Sequence, residues 1–339
     1  MAQGINRQIT LTSYPQGEPT PANFAAAESA IPEPGAGQLL LRNKYLSLDP
    51  YMRGRMSTAR SYAKGFEIGQ ALGGGTVSEV VASNNPKFAP GDVVLAAGGW
   101  QDYALSGGEG VVRIDAGLAP ITTALGVLGM PGMTAYTGLL NIGNPKPGET
   151  VVVAAAAGPV GATVGQIAKL KGCRTVGIAA GNKLDYITSE FGFDAALDRR
   201  SPDLKDELRE ACPLGIDVYF ENVGGVVWDA VVQQLNDFAR IPVCGLIAHY
   251  NDTQLPPGPD RMAMLMRMVL TRRLRIQGFI VSDFASQRGD FLRDVGAWVS
   301  EGKIKYREDI VDGLEKAPDA FIKLLRGDNF GKMIIKIAD

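Results

Sequence analysis

Thr150-Val-Val-Val-Ala-Ala-Ala-Ala-Gly158-Pro-Val-Gly161-Ala-Thr-Val-Gly165-Gln-Ile-Ala-Lys-Leu-Lys171 is the stretch on which the fold turns. Thr150 to Ala155 is an unbroken run suited to a buried strand, Ala162 to Lys171 has helical character, and Gly158-Pro159-Val160-Gly161 stands between them. The charge-free tract from Val151 to Ala168 is about long enough to cross a bilayer, but Gly158, Pro159, Gly161 and Gly165 break it into strand, turn and helix. Glycines at such a turn let the backbone approach a pyrophosphate, whose charge then sits at the positive N-terminus of the following helix. The spacing is Gly-x-x-Gly-x-x-x-Gly rather than Gly-x-Gly-x-x-Gly, and by itself it also suits an ordinary tight turn with close helix packing.

Downstream the pattern repeats. Arg174 to Ala180 reads as strand, Leu184 to Phe191 as helix, Ala195 to Asp198 as strand, and Pro202 to Ala211 as helix. Asp217 to Glu221, a helix from Val226, and a strand from Ala239 to Cys244 continue the series. Such alternation predicts a parallel sheet with helices on both faces. Upstream of about Ala124 the chain instead carries short β-type runs separated by Gly and Pro: Ile9 to Thr12, Gln38 to Ser47, Gly75 to Ala82, Asp92 to Ala97 and Val111 to Ile114. These predict an irregular barrel. After Phe279-Ile280-Val281, an amphipathic stretch from Phe291 to Glu301 leads into a C-terminal segment whose last run, Lys332 to Ile337, suits closure of that barrel.

At 339 residues with 45% apolar composition, the chain has material for two cores. Its 34 basic and 36 acidic residues are interspersed and nearly cancel, so neither nucleic acid nor an anionic membrane is an expected partner. The opening residues lack the apolar core of a secretory signal, which makes the cytoplasm the expected location. The three cysteines, Cys173, Cys212 and Cys244, form no Cys-x-x-Cys pair, and His249 is the one histidine. No site can therefore use two histidines or four cysteines, and no metal is expected.

A dinucleotide site that prefers NAD usually carries an acid at the end of the second strand. Here that strand runs into Ala180-Gly181-Asn182-Lys183, and Arg199 follows the third strand. Two cations in place of the acid suit a 2'-phosphate, although each alone is equally at home as a solvated surface charge.

Taken together, several stretches resemble one family. They are Leu48-Asp-Pro-Tyr-Met-Arg-Gly-Arg-Met56, Gly129-Met-Pro-Gly-Met-Thr-Ala-Tyr-Thr-Gly138, Ala154 to Gly172, Phe220-Glu-Asn-Val-Gly-Gly225, Cys244 to Gly258, and Gly327-Asp-Asn-Phe-Gly-Lys332. The chain resembles the zinc-independent medium-chain dehydrogenase/reductase superfamily, in the branch of prostaglandin, curcumin and double-bond reductases. The resemblance implies an α/β fold: a Rossmann domain, doubly wound around a parallel sheet, inserted between two parts of a GroES-like β-barrel domain. The implied divisions are residues 1–123, 124–299 and 300–339. It also implies NADPH as cofactor, with Gly158, Pro159, Val160 and Gly161 on the pyrophosphate, Lys183 and Arg199 near the 2'-phosphate, and Asn222 beside the cofactor. Cys244, Gly245 and Tyr250 would pass the nicotinamide half, Phe279, Ile280 and Val281 would line it, and Asn329 would reach in from the C-terminal segment. Two departures stand out: the turn Gly181-Asn182-Lys183 is shorter than the family's, and Arg199 stands where a tyrosine is common.

The implied reaction passes hydride to the β-carbon of an enone or enal, with charge building on the carbonyl oxygen. Tyr250 is the expected donor to that oxygen, with Tyr62 and Tyr51 as further candidates. The conjugated carbonyl already polarises the alkene, so no metal is needed for this step. His249 is expected to be structural or cofactor-adjacent. Met262-Ala-Met-Leu-Met-Arg-Met268 suits a pliable substrate lid or a buried helix face. A homodimer is expected, with Phe279-Ile-Val281 as a pairing edge strand. A quinone reductase on the same fold, or a cofactor-binding relative without turnover, stands as the alternative.

Overall fold

The structure, a computed structural model, describes residues 4–255 and 258–338. Pro256 and Pro257, within the loop from Asn251 to Arg261, lie outside the described residues. The chain divides into two compact units, one of Met1–Gly126 with Glu308–Asp339 and the other Val127–Arg307.

In the first unit, β1 (Ile5–Leu11) and β2 (Phe24–Ala30) form an antiparallel ribbon. The chain continues through β3 (Leu39–Ser47), the short helix α1 (Tyr51–Arg55), β4 (Thr76–Ser83), β5 (Val93–Ala96), β6 (Tyr103–Ser106) and β7 (Val112–Arg113). Gly91, with φ of 92°, makes the tight turn into β5 that Pro90-Gly91-Asp92 suits.

The second unit holds α2 (Met130–Thr137), β8 (Thr150–Ala154), α3 (Pro159–Leu170), β9 (Arg174–Ala179), α4 (Leu184–Ser189), β10 (Ala195–Asp198) and α5 (Leu204–Ala211). It goes on through β11 (Ile216–Phe220), α6 (Gly225–Val231), β12 (Leu235–Val243), α7 (Met262–Arg272), β13 (Arg275–Gly278) and α8 (Arg288–Ser300). Six strands pair in the order β10-β9-β8-β11-β12-β13, every pair parallel. β8 is buried at all five positions, which is why its sequence is apolar without alternation from Val151 to Ala154. Strand order reverses between β8 and β11, and ligands of doubly wound sheets bind at such switch points. Gly165 lets α3 pack closely: a Cβ there would lie 1.8 Å from Phe193 Cζ. The expected strand from Ala239 begins earlier, at Leu235, with a register shift against β11 and Phe238 at φ 62°.

The C-terminal segment adds β14 (Glu308–Asp312), α9 (Ala317–Arg326) and β15 (Lys332–Lys336) to the first unit. β15 pairs parallel with β14 and antiparallel with β3, so both ends of the chain share one sheet, ordered β14-β15-β3-β4-β5-β7 with β6 on β3. Among the described residues this order has two free ends, so hydrogen bonding does not close the expected barrel into a ring. A buried ion pair reinforces the join, Lys332 Nζ lying 2.9 Å from Asp49 Oδ1 and donating to Leu48 O at 2.6 Å.

The unit boundaries fall later than the expected divisions after 123 and 299. Ala124 and Leu125 bury against Val77 and Ile334, which holds them with the first unit. Gln166 of α3 bonds both the N–H and the carbonyl of Lys305, which holds that segment with the second.

Candidate active site

The turn from β8 into α3 is built by backbone constraints. Ala155 has φ of 53°, and Gly158 N–H donates to Ala155 O at 2.9 Å. A Cβ on Gly161 would sit 2.4 Å from Ala155 O, so that glycine is demanded by the turn itself. Gly158 is the N-cap and Pro159 the first helical residue; no side chain caps this end. The first-turn N–H groups of Val160 and Gly161 have no acceptor within the helix, and a bound anion is the group that such an end accommodates. The residues present thus fit a dinucleotide pyrophosphate.

β9 and β10 run side by side, with Ala179 opposite Asp198, so the turns after them are neighbours. These turns carry Lys183, Arg199 and a third cation that sequence reasoning missed, Arg200. Arg200 Nη2 pairs with Asp198 Oδ2 at 2.9 Å, and the same carboxylate accepts Gly181 N–H at 3.3 Å. The Arg200 guanidinium holds the Asp198 carboxyl well below the usual carboxylate range. The acid at the end of β10 is therefore an anion already matched by a cation. Its signal was visible as Asp198-Arg199-Arg200, but only the parallel pairing brings it to Gly181.

Beyond β11 the chain bends through Glu221-Asn222-Val223-Gly224-Gly225. Asn222 Nδ2 donates to Ala154 O at 2.8 Å, tying this bend to the end of β8. Glu221, also absent from the sequence candidates, is 2% exposed; its Oε1 accepts from Tyr219 Oη at 2.9 Å, Val223 N at 2.6 Å and Gly224 N at 2.9 Å. Burial pushes the Glu221 carboxyl above its ordinary range.

Cys244 and Gly245 follow β12, both N–H groups donating to Glu221 O, at 2.9 and 3.2 Å. The half-buried Tyr250 folds back over this strand end. Its hydroxyl accepts Leu246 N–H at 3.4 Å, and a Cβ on Gly245 would meet it at 2.9 Å. An oxygen that accepts there retains its own O–H as a donor. His249 accepts Gly225 N–H at Nε2 and meets Asp252 at Nδ1, a structural placement.

Phe279 is buried and stands edge-on to Phe220 and Phe284, with centroids 6.2 and 6.1 Å away. Phe279-Ile-Val281 is not the edge strand: that is β13, Arg275–Gly278, and Val281 opens a 3-10 turn. The apolar run is accounted for by Phe279 packing into the core. The Met262–Met268 run is helical, but α7 has no fully buried residue. Leu265, Met268 and Val269 rest against the core while Met262, Met264, Met266 and Leu270 are exposed, so it is not a buried face.

In the first unit, Tyr51 opens α1 and packs against the core of Leu48, Met52 and Phe321; burial, then Asp49, pushes its phenol above the ordinary range. Tyr62 is 63% exposed on the loop from Ser57 to Lys64. Arg55 closes the neck of that loop, donating to Lys64 O at 2.9 Å and lying over the Phe66 ring at 4.3 Å. Asn329 Nδ2 is bonded to Gly331 O at 2.7 Å, within its own turn.

Among the described residues no three His, Cys, Asp or Glu side chains gather as a metal site requires. Cys173 and Cys212 are buried free thiols, pushed up to about 11 and about 12 by desolvation. Also among the described residues, no helix is long and apolar enough to cross a membrane.

Residues 7–114 match the family described as the N-terminal domain of oxidoreductase, and residues 159–299 the one described as zinc-binding dehydrogenase. The NADPH-dependent curcumin reductase of Escherichia coli (strain K12) is 56% identical over 335 residues, 98% of this chain and 97% of its own. Prostaglandin reductase 1 of Rattus norvegicus is 43% identical over 333 residues, covering 96% of this chain and 98% of the relative. The crystal structure of CurA from Vibrio vulnificus in complex with NADPH superposes with a TM-score of 0.95 at 54% identity, covering 98% of this chain and 99% of that one. With a parallel-sheet Rossmann unit inserted in sequence between the two parts of a GroES-like unit, and with relatives alike from end to end, the chain belongs to the zinc-independent branch of the medium-chain dehydrogenase/reductase superfamily.

Proposed function

We propose that the chain is an NADPH-dependent reductase of the carbon–carbon double bond in α,β-unsaturated carbonyl compounds. The observation that carries this reading is the end-to-end likeness to the Escherichia coli curcumin reductase. The α3 N-terminus supports it as a seat for the pyrophosphate, and Lys183 and Arg199 on adjacent turns as partners of the 2'-phosphate. With Asp198 matched by Arg200, the acid there does not oppose that phosphate. Asn222, Cys244, Gly245, Phe279, Ile280 and Val281 border the nicotinamide half in this reading, and Asn329 is a further cofactor residue that the family likeness suggests.

NADPH, when bound, supplies the hydride that the β-carbon receives. The chain's own task is to stabilise the enolate oxygen. Tyr250 holds a proton at Oη while accepting Leu246 N–H, and it donates that hydrogen bond to the oxygen where charge develops. Tyr62 and Tyr51 stand as secondary candidates for that role.

Purified protein incubated with NADPH and a panel of enones, enals and quinones tests the reading. Cofactor oxidation that depends on the enone and yields the saturated carbonyl product is expected. Turnover of quinones alone would make this a quinone reductase, and NADPH binding without turnover of any acceptor would make it a non-catalytic relative.

A homodimer is the proposed assembly, and a reducing cytoplasm suits its three free cysteines. β13 ends the six-stranded sheet, with Ile276 exposed on it and Met262, Met264, Met266 and Leu270 exposed on the neighbouring α7. An edge of this kind, flanked by apolar side chains, suits pairing with a second copy. Light scattering at working concentration is expected to give the dimer mass; a monomer mass there would reject the assembly.

A further inference from the structure

His249 and Tyr250 are neighbours in sequence, and each rests on a glycine of the segment it meets. A Cβ on Gly224 would lie 2.9 Å from His249 Cδ2, and one on Gly245 would lie 2.9 Å from Tyr250 Oη. The single 3-10 turn that leads to them, Ile247–His249, has no fully buried residue; Ile247 packs partly buried against the core, and polar ties hold the rest of the turn. Ile247 N–H donates to Asn222 O at 3.3 Å and Ala248 N–H to Val223 O at 2.9 Å.

The next tie, the one closest to Tyr250, is made by a side chain. Gly224 and Gly225 both have positive φ, 77° and 55°, a conformation open to glycine, and the bend they make presents successive N–H groups to acceptors. Glu221 Oε1 takes the N–H groups of Val223 and Gly224, and His249 Nε2 takes that of Gly225 at 3.2 Å. A ring nitrogen that accepts has no proton, so the imidazole proton belongs on Nδ1, where it donates to Asp252 Oδ2 at 2.7 Å. Asp252 thereby fixes the tautomer, and its own N–H closes the turn on His249 O at 3.2 Å.

We propose that His249 is a positioning residue for the reduction: by accepting the Gly225 N–H it anchors the turn and fixes where Tyr250 presents its hydroxyl. The inference rests on the donor role given to Tyr250 above. Substitution by asparagine or by glutamine separates the two ring nitrogens. In His249→Gln the longer side-chain amide reaches the place of Nε2 and can accept from Gly225. In His249→Asn the shorter amide reaches only the place of Nδ1 and keeps the Asp252 contact alone.

The test compares wild type, His249→Asn, His249→Gln, Tyr250→Phe and the double variant His249→Asn/Tyr250→Phe in steady-state enone reduction, with NADPH affinity measured by fluorescence titration. His249→Asn is expected to lower kcat roughly tenfold, short of the hundredfold that a full ångström of misplacement can cost. NADPH affinity should stay within a few-fold, and His249→Gln should regain most of the rate. The double variant should be no slower than Tyr250→Phe, because the histidine acts through the tyrosine. Wild-type kcat in His249→Asn, no rescue by His249→Gln, or a further tenfold loss in the double variant would each overturn the proposal. A wild-type protein that reduces no enone fails at the earlier step, the proposed function. An active wild type with an undiminished Tyr250→Phe variant removes the tyrosine's role and the positioning role with it.

Discussion

Tyr250→Phe is expected to lower enone turnover about a hundredfold, the usual loss when one donor to a developing oxyanion is removed. The phenol oxygen accepts Leu246 N–H and lies against Gly245, and in the proposed reaction its O–H donates to the substrate oxygen. The phenylalanine ring fills the same space and only the hydroxyl is lost. NADPH affinity should therefore stay within a few-fold, and the loss should fall on kcat more than on KM for the cofactor. Stopped-flow measurement of NADPH oxidation with several enones checks this. Unchanged turnover across all of them would mean that the enolate is held by other groups and that Tyr250 only lines the site.

Removing Lys183 and Arg199 together, as Lys183→Ala with Arg199→Ala, is expected to raise KM for NADPH by about two orders of magnitude, since hydrogen bonds to a charged group contribute about 1.5–3 kcal/mol each and 1.4 kcal/mol is tenfold. NADH lacks the phosphate, so its KM should move by no more than a few-fold. The two cations sit on adjacent turns because β9 and β10 are parallel neighbours, and Arg200 is engaged with Asp198 beside them. Kinetics with both cofactors over a range of salt concentration checks the assignment, because the phosphate contribution is electrostatic and weakens as salt rises. Equal effects on NADPH and NADH would leave the cofactor preference without these residues as its basis.

Much of the second unit was legible from residues close together in sequence. β8 shows as a continuous apolar run because both faces of a central parallel strand are buried, and Gly158 with Pro159 marks the turn because backbone conformation there is a local matter. The strand Ala195–Asp198 stands where its sequence placed it. α5 begins at Leu204 rather than Pro202, which lies in the turn before the helix.

Other elements are strands only because of their partners. β2 is alanine-rich and mostly exposed, and it becomes a strand by pairing with β1 along seven residues. β13, with arginine, isoleucine, glutamine and glycine, has no strong strand pattern of its own and exists as the edge that β12 templates. The site divides the same way. The glycine turn before α3 and the positions of Lys183 and Arg199 after β9 and β10 were readable, since glycine spacing and charge are properties of the sequence. The acid matched at Asp198, the backbone N–H groups gathered by the Glu221 carboxylate and the fold-back of His249 and Tyr250 onto Gly224 and Gly245 were not. Those depend on which groups meet once the chain has folded, and only the packed tertiary structure sets such distances, because a side chain's partner is chosen through space once the backbone around it is fixed.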